Sequence, residues 1–242
     1  MSQHKVVSHA DWIAARKQLL LEEKAFTRLR DKLTQQRRDL PWEAVYKEYV
    51  FDGPNGPQTL SELFDGRSQL VIYHAMFDPN SASPSSSWTT DAACEHCSFW
   101  ADNFNGIVVH LNARDVTMIA VSRAPQAKLS AYSKRMGWSF KWVSSGNSDF
   151  NFDYKVSFTP EEVAAQLADY NYKLQDPSQT EREGVSVFFK DGAGEIFHTY
   201  STYARGIDMV NVAYHYLDLV PKGRDEGNRG PHWVCRHDEY RG

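Results

Sequence analysis

The most constraining feature of this chain is a near-continuous apolar run at residues 70–77, Leu-Val-Ile-Tyr-His-Ala-Met-Phe. An apolar run of this length, without polar alternation, is typical of a strand that is buried on both faces of a sheet. Such a strand needs helices on both sides, which predicts an α/β architecture. A second run, from Val116 to Val121, predicts a neighbouring buried strand.

Helical patterns follow each of these two strands. Apolar residues at helical spacing begin after Ser98 and predict a helix of about four turns. Its apolar face would consist of Trp100, Phe104, Ile107, Val108 and Leu111. After the second strand, Pro125 suits a first helical turn and Gly137 a helix end. The order strand, helix, strand, helix predicts two parallel strands joined by a crossover helix.

The second half of the chain predicts a helix, a hairpin and a closing helix. Thr159, Pro160 and Glu162 have the spacing of a capping box with proline at the first helical position. The apolar side of that helix would consist of Val163, Leu167 and Tyr170. The two strands of the hairpin are predicted at Val185 to Phe189 and at Ile196 to Tyr200. The apolar face of the closing helix would consist of Ile207, Val210, Tyr214 and Leu217. This order of elements predicts a thioredoxin-like fold, a mixed β-sheet flanked by helices.

The ends of the chain are expected to lie outside that domain. Residues 8–38 carry an apolar stripe at helical spacing, which predicts a long N-terminal helix. We therefore divide the chain into an N-terminal helical extension (1–40), a thioredoxin-like domain (41–220) and an irregular C-terminal tail (221–242). The stripe needs a cover, and both the domain itself and a second copy in a homodimer fit. Early in the domain, Val45 to Phe51 alternates like a strand, and Thr59 to Glu62 has capping-box spacing.

Charge and composition exclude several classes of protein. The formal net charge is −4 over 242 residues, so the basic footprint of a nucleic-acid-binding protein is absent. The longest apolar run is far too short to span a membrane, and residues 1–7 lack the pattern of a secretory signal. We therefore expect a cytoplasmic protein without membrane association. Three cysteines are too few for a disulfide scaffold.

Two of these cysteines, Cys94 and Cys97, form a Cys-x-x-Cys motif just before the helix that is predicted to follow the first buried strand. The free amide groups and positive dipole at a helix start favour a thiolate. We therefore expect Cys94 to act as the nucleophile, and Cys97, one turn further and more buried, to resolve the mixed disulfide. His96 lies between them and stabilises the thiolate when protonated, whereas Glu95 opposes it. The predicted catalytic residues are Cys94, His96 and Cys97.

A metal knuckle is the main alternative for this motif, because Cys-x-x-Cys also binds zinc. Zinc needs two further ligands, and neither His74 and His110 nor the tail residues His232, Cys235 and His237 have finger spacing. We predict no metal, and no organic cofactor, since no glycine-rich phosphate-binding motif follows a strand. The predicted partners are a disulfide or thiol substrate and a cellular thiol reductant. A noncatalytic interaction module, holding zinc or a reduced dithiol, remains open.

The chain also resembles a known bacterial family, DUF899. The segments that carry the resemblance are Tyr73-His74-Ala75-Met76-Phe77, Cys94-x-x-Cys97-Ser98, Gly137-Trp138, Asp149-Phe150-Asn151, Tyr200-Ser201-Thr202-Tyr203-x-Arg205-Gly206 and His237-Asp238-Glu239-Tyr240. The resemblance covers nearly the whole chain from Ser8 onward. It implies a thioredoxin-like fold and a dithiol-disulfide oxidoreductase activity.

Some residues depart from the usual patterns of such folds. Sixteen residues separate Phe77 from Cys94, whereas thioredoxins resemble one another in placing the dithiol directly after the strand. A peroxiredoxin-like site would have threonine three residues before the reactive cysteine, but Asp91 stands there, so peroxide reduction fits less well. We expect His74 to be a hydrogen-bonded core histidine rather than a proton relay to the dithiol. The tail around Cys235 is interpreted as a docking segment rather than a metal or third-thiol element.

Overall fold

The helices and strands come from a computed structural model, which describes residues 4–78 and 88–240. The helices are α1 (His9–Arg38), α2 (Leu60–Leu63), α3 (Glu95–Ala101), α4 (Val108–Asn112), α5 (Gln126–Arg135), α6 (Phe150–Asp153), α7 (Pro160–Ala164) and α8 (Val212–Leu217), with a 3-10 helix at Ala204–Val210. The strands are β1 (Glu43–Ala44), β2 (Val50–Gly53), β3 (Gly56–Thr59), β4 (Gln69–His74), β5 (Val116–Ser122), β6 (Lys141–Ser144), β7 (Ala168–Tyr170), β8 (Lys173–Gln175), β9 (Gly184–Lys190) and β10 (Ile196–Tyr203).

A mixed sheet forms the centre of the fold, with strand order β1-β10-β9-β4-β5-β6-β2-β3. Strands β4, β5 and β6 are parallel, whereas β9 runs antiparallel to β4 and pairs with β10 in a hairpin. The segment β10-β9-β4-β5, with α3 and α4 in the crossover between β4 and β5, is the arrangement expected of a thioredoxin-like domain. The predicted fold class and the predicted strands β4, β5, β9 and β10 are therefore confirmed.

The sheet separates two apolar cores, because side chains alternate between its faces. One, the dithiol-side core, contains Tyr73, Trp100, Tyr132 and Trp142 together with both motif cysteines. The other, the α2-side core, contains Leu63, Leu70, Ile72, Val121, Phe150 and Phe188. Successive residues of β4 contribute to different cores, so this strand is buried on both faces as its sequence predicts.

Capping explains where the short helix α2 begins. The Thr59 backbone N–H donates to the Glu62 carboxylate at 2.7 Å, and the Glu62 N–H donates to the Thr59 hydroxyl at 3.3 Å. These reciprocal bonds satisfy two amides that the helix itself leaves unpaired. Thr159 and Glu162 form the same capping box at α7. Both boxes were predicted from sequence and are confirmed.

Several predicted elements are shorter than expected. The four-turn helix after Ser98 is wrong, because α3 ends at Ala101 and α4 begins at Val108. Between them the Asn103 side chain donates to the carbonyls of Phe99 and Trp100 at 2.9 and 3.1 Å, and such side-chain bonds compete with continuation of the helix.

The helix predicted after Thr159 also ends early, at Ala164. Gln166 has a left-handed backbone (φ 52°), which breaks the helix, and Tyr170 lies in β7 instead. The closing helix divides at Asn211, whose side chain accepts the Tyr214 N–H at 3.2 Å and so begins α8. Residues 45–51 do not form one strand, since β1 and β2 lie on either side of a turn. Neither β6 nor α6 was predicted.

Two compact units make up the chain, one ending at Pro41 and the other beginning at Trp42. In the first, Ser8 caps α1 by accepting the Asp11 N–H at 3.2 Å, which confirms the long N-terminal helix. Among the described residues, no helix has the length and apolarity that crossing a membrane requires.

Candidate functional site

The Cys-x-x-Cys motif lies at the carboxyl end of β4. Cys94 immediately precedes α3, and its backbone N–H donates to the Met76 carbonyl at 3.1 Å. The Cys94 carbonyl accepts the backbone N–H and the hydroxyl of Ser98, at 2.9 and 2.8 Å. These bonds fix the turn that carries the dithiol against the end of the central strand. Residues 79–87 of the preceding loop lie outside the described residues.

His96 contacts Cys94 directly. Its hydrogen bond with the Cys94 thiol raises the pKa of the imidazole, although burial acts in the opposite direction. The ring is fixed from the other side, because its Nε2 donates to the Pro231 carbonyl at 3.3 Å. A protonated His96 beside Cys94 favours the thiolate form of that cysteine. The structure thus brings Cys94 and His96 together as the sequence predicts.

Cys97 has a different environment from Cys94. Its sulfur accepts the Met76 backbone N–H at 3.3 Å, but burial and the neighbouring Cys94 raise the pKa of its thiol well above the usual range. We expected Cys97 to be the more buried cysteine, and this is wrong: Cys94 is 0 % exposed and Cys97 is 2 % exposed. Burial therefore does not distinguish the two thiols, whereas their polar neighbours do.

The C-terminal tail is one reason why Cys94 is covered. Arg236 is 4 % exposed, and its guanidinium donates to the carbonyl of Ala93, next to Cys94, at 2.7 and 3.1 Å. The same guanidinium lies 3.4 Å from Glu95 and 3.1 Å from Glu239. This tail therefore passes over the first turn of α3, and we call residues 231–240 the strap.

The strap is also attached at two other points. Arg135 of α5 forms ion pairs with Asp238 and Glu239, both at 2.7 Å, and His237 lies 2.7 Å from Asp102. These contacts confirm the interpretation of the tail as a docking segment. Cys235 is a half-exposed part of the strap. In the described part of the chain, no group of three or more histidine, cysteine or acidic residues has the geometry to hold a metal ion.

A cavity of about 820 Å³ reaches the dithiol turn, and we call it the dithiol cavity. His96 and Cys97 form part of its wall, together with residues from the end of β4, the segment before β9, the 3-10 helix, α8 and the first part of the tail. Cavities of this volume accommodate small-molecule ligands. Because Cys94 contacts both His96 and Cys97, a ligand in the cavity would lie close to both sulfur atoms.

Tyr73 and Glu183 belong to this site and were not predicted. The Tyr73 side chain is 0 % exposed and lines the cavity beside Cys97, and burial raises the pKa of its hydroxyl well above the usual range. Burial also raises the pKa of the Glu183 carboxyl, and the nearby Cys94 adds to this. Sequence offers one weak signal, because Tyr73 carries a hydroxyl within the mainly apolar run at residues 70–77.

His74, which the sequence analysis weighed as a proton relay, lies away from the dithiol. His74 points to the opposite face of the sheet, where its Nε2 is 2.9 Å from the Ser186 hydroxyl and its ring stacks on Phe150. This confirms the core-histidine interpretation and excludes a direct relay to the dithiol. Trp88 is buried in the dithiol-side core, and Arg205 pairs with Asp208 at the cavity wall.

Comparison with known proteins matches this chain to one family and shows a distant structural similarity to solved structures. A family model described as "Bacterial protein of unknown function (DUF899)" matches residues 1–240. No curated protein matches the chain.

The similar solved structures include three peroxiredoxins. Peroxidoxin BcpB from Mycobacterium tuberculosis is 12% identical, with a TM-score of 0.44 over 72% of this chain and 94% of that chain. Peroxiredoxin Q from Xanthomonas campestris is 16% identical, with a TM-score of 0.44 over 70% and 95%. A mitochondrial 2-Cys peroxiredoxin from Plasmodium falciparum is 11% identical, with a TM-score of 0.40 over 77% and 96%. At TM-scores below 0.5, no activity is carried over from these proteins.

Proposed function

This chain belongs to the DUF899 family, and because that family's description assigns no activity, we propose one from the dithiol itself: a dithiol-disulfide oxidoreductase acting on protein or small-molecule disulfides. Cys94 is the attacking thiol, Cys97 the resolving thiol, and His96 the group that stabilises the Cys94 thiolate. No organic cofactor enters the reaction.

The observation that carries this proposal is the turn that joins Cys94, His96 and Cys97 at the edge of the dithiol cavity. The imidazole bonded to Cys94 supports its assignment as the more ionised thiol. The raised pKa of Cys97 keeps that thiol protonated until a mixed disulfide forms. This asymmetry supports distinct roles, since the attacking group must be a thiolate and the resolving group is needed only in the second step.

The reaction would proceed in two exchanges. The Cys94 thiolate attacks one sulfur of a disulfide R–S–S–R, forms a mixed disulfide and releases R–S⁻. Cys97 then attacks the Cys94 sulfur and gives its proton to the departing thiolate, so the second R group leaves as R–SH and a Cys94–Cys97 disulfide remains. Two electrons pass from the dithiol to the substrate. A cellular thiol reductant returns the pair to its reduced form by the reverse exchange.

Thiol peroxidase is the second candidate function, and the complete burial of Cys94 favours it. A thiol that is 0 % exposed is reached more easily by a peroxide than by a folded protein. In that reaction the Cys94 thiolate attacks the O–O bond, which gives a sulfenic acid and releases the second oxygen as water or an alcohol. Cys97 then condenses with the sulfenic acid and releases water. Both candidates end in the same Cys94–Cys97 disulfide, so only the substrate distinguishes them.

The test is an equilibrium redox titration of the Cys94/Cys97 pair in dithiothreitol and glutathione buffers, read by thiol-tagging mass spectrometry. An intramolecular disulfide that forms reversibly, with a potential between about −120 and −270 mV, supports a redox function. Turnover of hydroxyethyl disulfide and of hydrogen peroxide, measured on the same preparation, then separates the two candidates. Turnover of peroxide alone would replace the oxidoreductase proposal.

Metal content is measured on the same protein, because a zinc-holding interaction module also fits a Cys-x-x-Cys motif. Stoichiometric zinc, or a pair that never forms a disulfide, would overturn both enzyme assignments and favour the noncatalytic module.

A further inference from the structure

The dithiol cavity is large enough for a specific small ligand, and its wall combines apolar side chains with charged ones. Its volume of about 820 Å³ lies within the range of small-molecule sites. Because His96 and Cys97 line the cavity, the other charged groups on its wall select among substrates of the dithiol. The chemistry of the wall therefore indicates which disulfides enter.

Four of the charged groups on this wall neutralise one another. Arg224 lies 2.8 Å from Asp218 and 3.0 Å from Asp208. Arg205 lies 3.2 Å from the same Asp208. Two guanidinium groups and two carboxylates thus form a closed cluster with no net charge. This cluster leaves little charge for a ligand to compensate.

Three further charged groups on the wall have no ion-pair partner within the described residues. Glu226 accepts only neutral donors, the Tyr214 hydroxyl at 2.9 Å and the Trp233 Nε1 at 3.0 Å. Glu183 accepts the Tyr170 hydroxyl at 3.2 Å. Arg182 donates to the Ser178 hydroxyl at 2.7 Å. The cavity therefore offers two carboxylates and one guanidinium.

Two buried donors at the cavity add a second, independent indication of a ligand. The Arg182 Nε is buried and has no hydrogen-bond partner in the described part of the chain, and the equally buried Tyr73 hydroxyl has no nitrogen or oxygen partner there, its polar contact being the Cys97 thiol, a weak hydrogen-bonding group. Buried donors without partners are rare in native proteins, because the missing bond costs free energy. Both residues line this cavity, so a ligand with carboxylate or carbonyl oxygens would satisfy them.

We infer that the dithiol cavity binds small disulfides built from amino acids, which carry free ammonium and carboxylate groups, as the substrates of the Cys94/Cys97 pair. Glu183 and Glu226 bind ammonium groups, whereas Arg182 and the Tyr73 hydroxyl bind a carboxylate. This assignment rests on the proposed function and narrows it to low-molecular-weight substrates. The exchange is the one described above, with the amino-acid thiol as R–S⁻ and a dithiol reductant to restore the pair.

Four symmetric disulfides of similar length test this inference with the full chain and dithiothreitol as reductant. Cystine carries ammonium and carboxylate groups, cystamine only ammonium groups, dithiodipropionate only carboxylates, and hydroxyethyl disulfide no charge. We expect kcat/KM to fall in the order cystine, cystamine, hydroxyethyl disulfide, dithiodipropionate. Cystine should exceed the neutral disulfide by about tenfold, the gain expected from one charge-assisted hydrogen bond.

Two charge-removing substitutions make the test specific. Glu226→Gln retains an oxygen for Tyr214 and Trp233 but loses the negative charge, so kcat/KM for cystamine and cystine should fall by about tenfold. Arg182→Gln should lower the values for cystine and dithiodipropionate and leave cystamine unchanged. Glu161→Gln, an exposed site on α7, serves as the matched control and should change none of them. Circular dichroism spectra and thermal melting curves that match the wild type show that each variant is folded.

The outcomes separate this inference from the proposed function. If hydroxyethyl disulfide is reduced but the other three are reduced at the same rate, the dithiol activity stands and the inference is overturned. If Glu226→Gln lowers turnover of all four disulfides equally, the carboxylate does not select ammonium groups, and the inference fails. If no disulfide is reduced by the wild-type protein, the proposed function itself fails.

Discussion

Tyr73 and His74 are consecutive residues of β4, yet their side chains lie on opposite faces of the sheet. One borders a cavity, whereas the other is enclosed in a core. Tyr73 faces the dithiol cavity with a buried hydroxyl whose polar contact is the Cys97 thiol and which has no nitrogen or oxygen partner in the described residues. His74 faces the α2-side core, where its ring stacks on Phe150 and Tyr154 and its Nε2 contacts the Ser186 hydroxyl. Both are fully buried polar residues, and only one has an open space in front of it.

The buried polar groups on the two faces of the sheet therefore have different surroundings. On the α2 side, His74, Ser186, Ser201 and His198 form a chain of contacts of 2.9, 2.9 and 2.7 Å that lies inside the protein. Such contacts recover the free energy that burial of polar groups costs. On the dithiol side, the Tyr73 hydroxyl and the Arg182 Nε line a cavity that a ligand can enter. The second ring nitrogen of His74, Nδ1, also lacks a hydrogen bond of standard geometry in the described residues, but it is enclosed in the core. The position beside a cavity, and not a missing partner alone, therefore indicates a ligand site.

The largest expected effect is on the dithiol face. Cys94→Ser removes the attacking thiol and should lower disulfide turnover on the order of a thousandfold. Cys97→Ser should instead accumulate a mixed disulfide at Cys94, detected as added mass on the intact protein. Cys235→Ser, in the strap, is the control and should keep wild-type turnover. A mixed disulfide trapped on Cys97 in the Cys94→Ser variant would reverse the two roles.

A smaller effect is expected from His96→Gln. Iodoacetamide near neutral pH should label Cys94 before Cys97, and the substitution should slow labelling of Cys94 by about tenfold. The pKa of His96 is raised by its bond to Cys94, so the imidazolium persists to higher pH than usual and is lost as the pH rises through that value. The acid limb of the labelling-rate profile should therefore move to higher pH in the variant. His110→Gln is the control, and an identical profile for both variants would remove His96 from the site.

The direct test of the comparison pairs Tyr73→Phe with His74→Phe. His74→Phe removes the contact with Ser186 and should lower the free energy of unfolding by about 1–3 kcal/mol, while disulfide turnover by the folded protein stays unchanged. Tyr73→Phe removes a hydroxyl whose polar contact is the weakly hydrogen-bonding Cys97 thiol, so stability should hold while kcat/KM for cystine falls by about tenfold. Urea unfolding and steady-state kinetics measure both. If both variants lose the same property, the distinction between the two faces is wrong.

The smallest effect is a dependence of stability on pH from the α2 side. Burial lowers the pKa of His74 to about 3, against an ordinary value of 6.5. Between these values the unfolded chain binds a proton that the folded protein does not, so the free energy of unfolding falls as the pH falls. The slope from this residue approaches about 1.4 kcal/mol per pH unit well below pH 6.5. Urea titrations at pH 6.5 and 5.5 should show a smaller difference for His74→Phe than for the wild type, and equal differences would contradict the assignment.

Much of the central fold follows from local sequence signals. The apolar runs predict β4 and β5, and the turn Asp191 to Gly194 predicts the hairpin of β9 and β10. Strand β6 was missed because Lys141 to Ser144 is too short to show a period, and its neighbours Trp138 and Phe140 add apolar residues at no fixed spacing. The predicted length of helices failed where single residues, Asn103 and Gln166, interrupt an otherwise helical pattern.

The site could be predicted only as far as its local motif. Cys94, His96 and Cys97 are close in sequence and were identified together. Glu183 contributes to the same cavity from the other side of the fold, and Arg236 donates to Ala93 across 143 residues of chain. No spacing rule connects such distant positions. The prediction that Cys97 is the more buried cysteine was wrong, and the strap contributes to this result because Arg236 packs on the turn next to Cys94.

The alternation of β4 has a consequence at the level of the gene. Successive residues of a strand face opposite sides of the sheet. The number of residues between the start of β4 and each side chain therefore determines that Tyr73 faces the dithiol side and His74 the α2 side. A substitution changes the chemistry of one face at a time. An in-frame deletion of one codon within Gln69 to Ile72 would exchange the two, placing an imidazole against the dithiol and a phenol in the α2-side core. Length variation in this strand should therefore be tolerated far less than variation in its residue types.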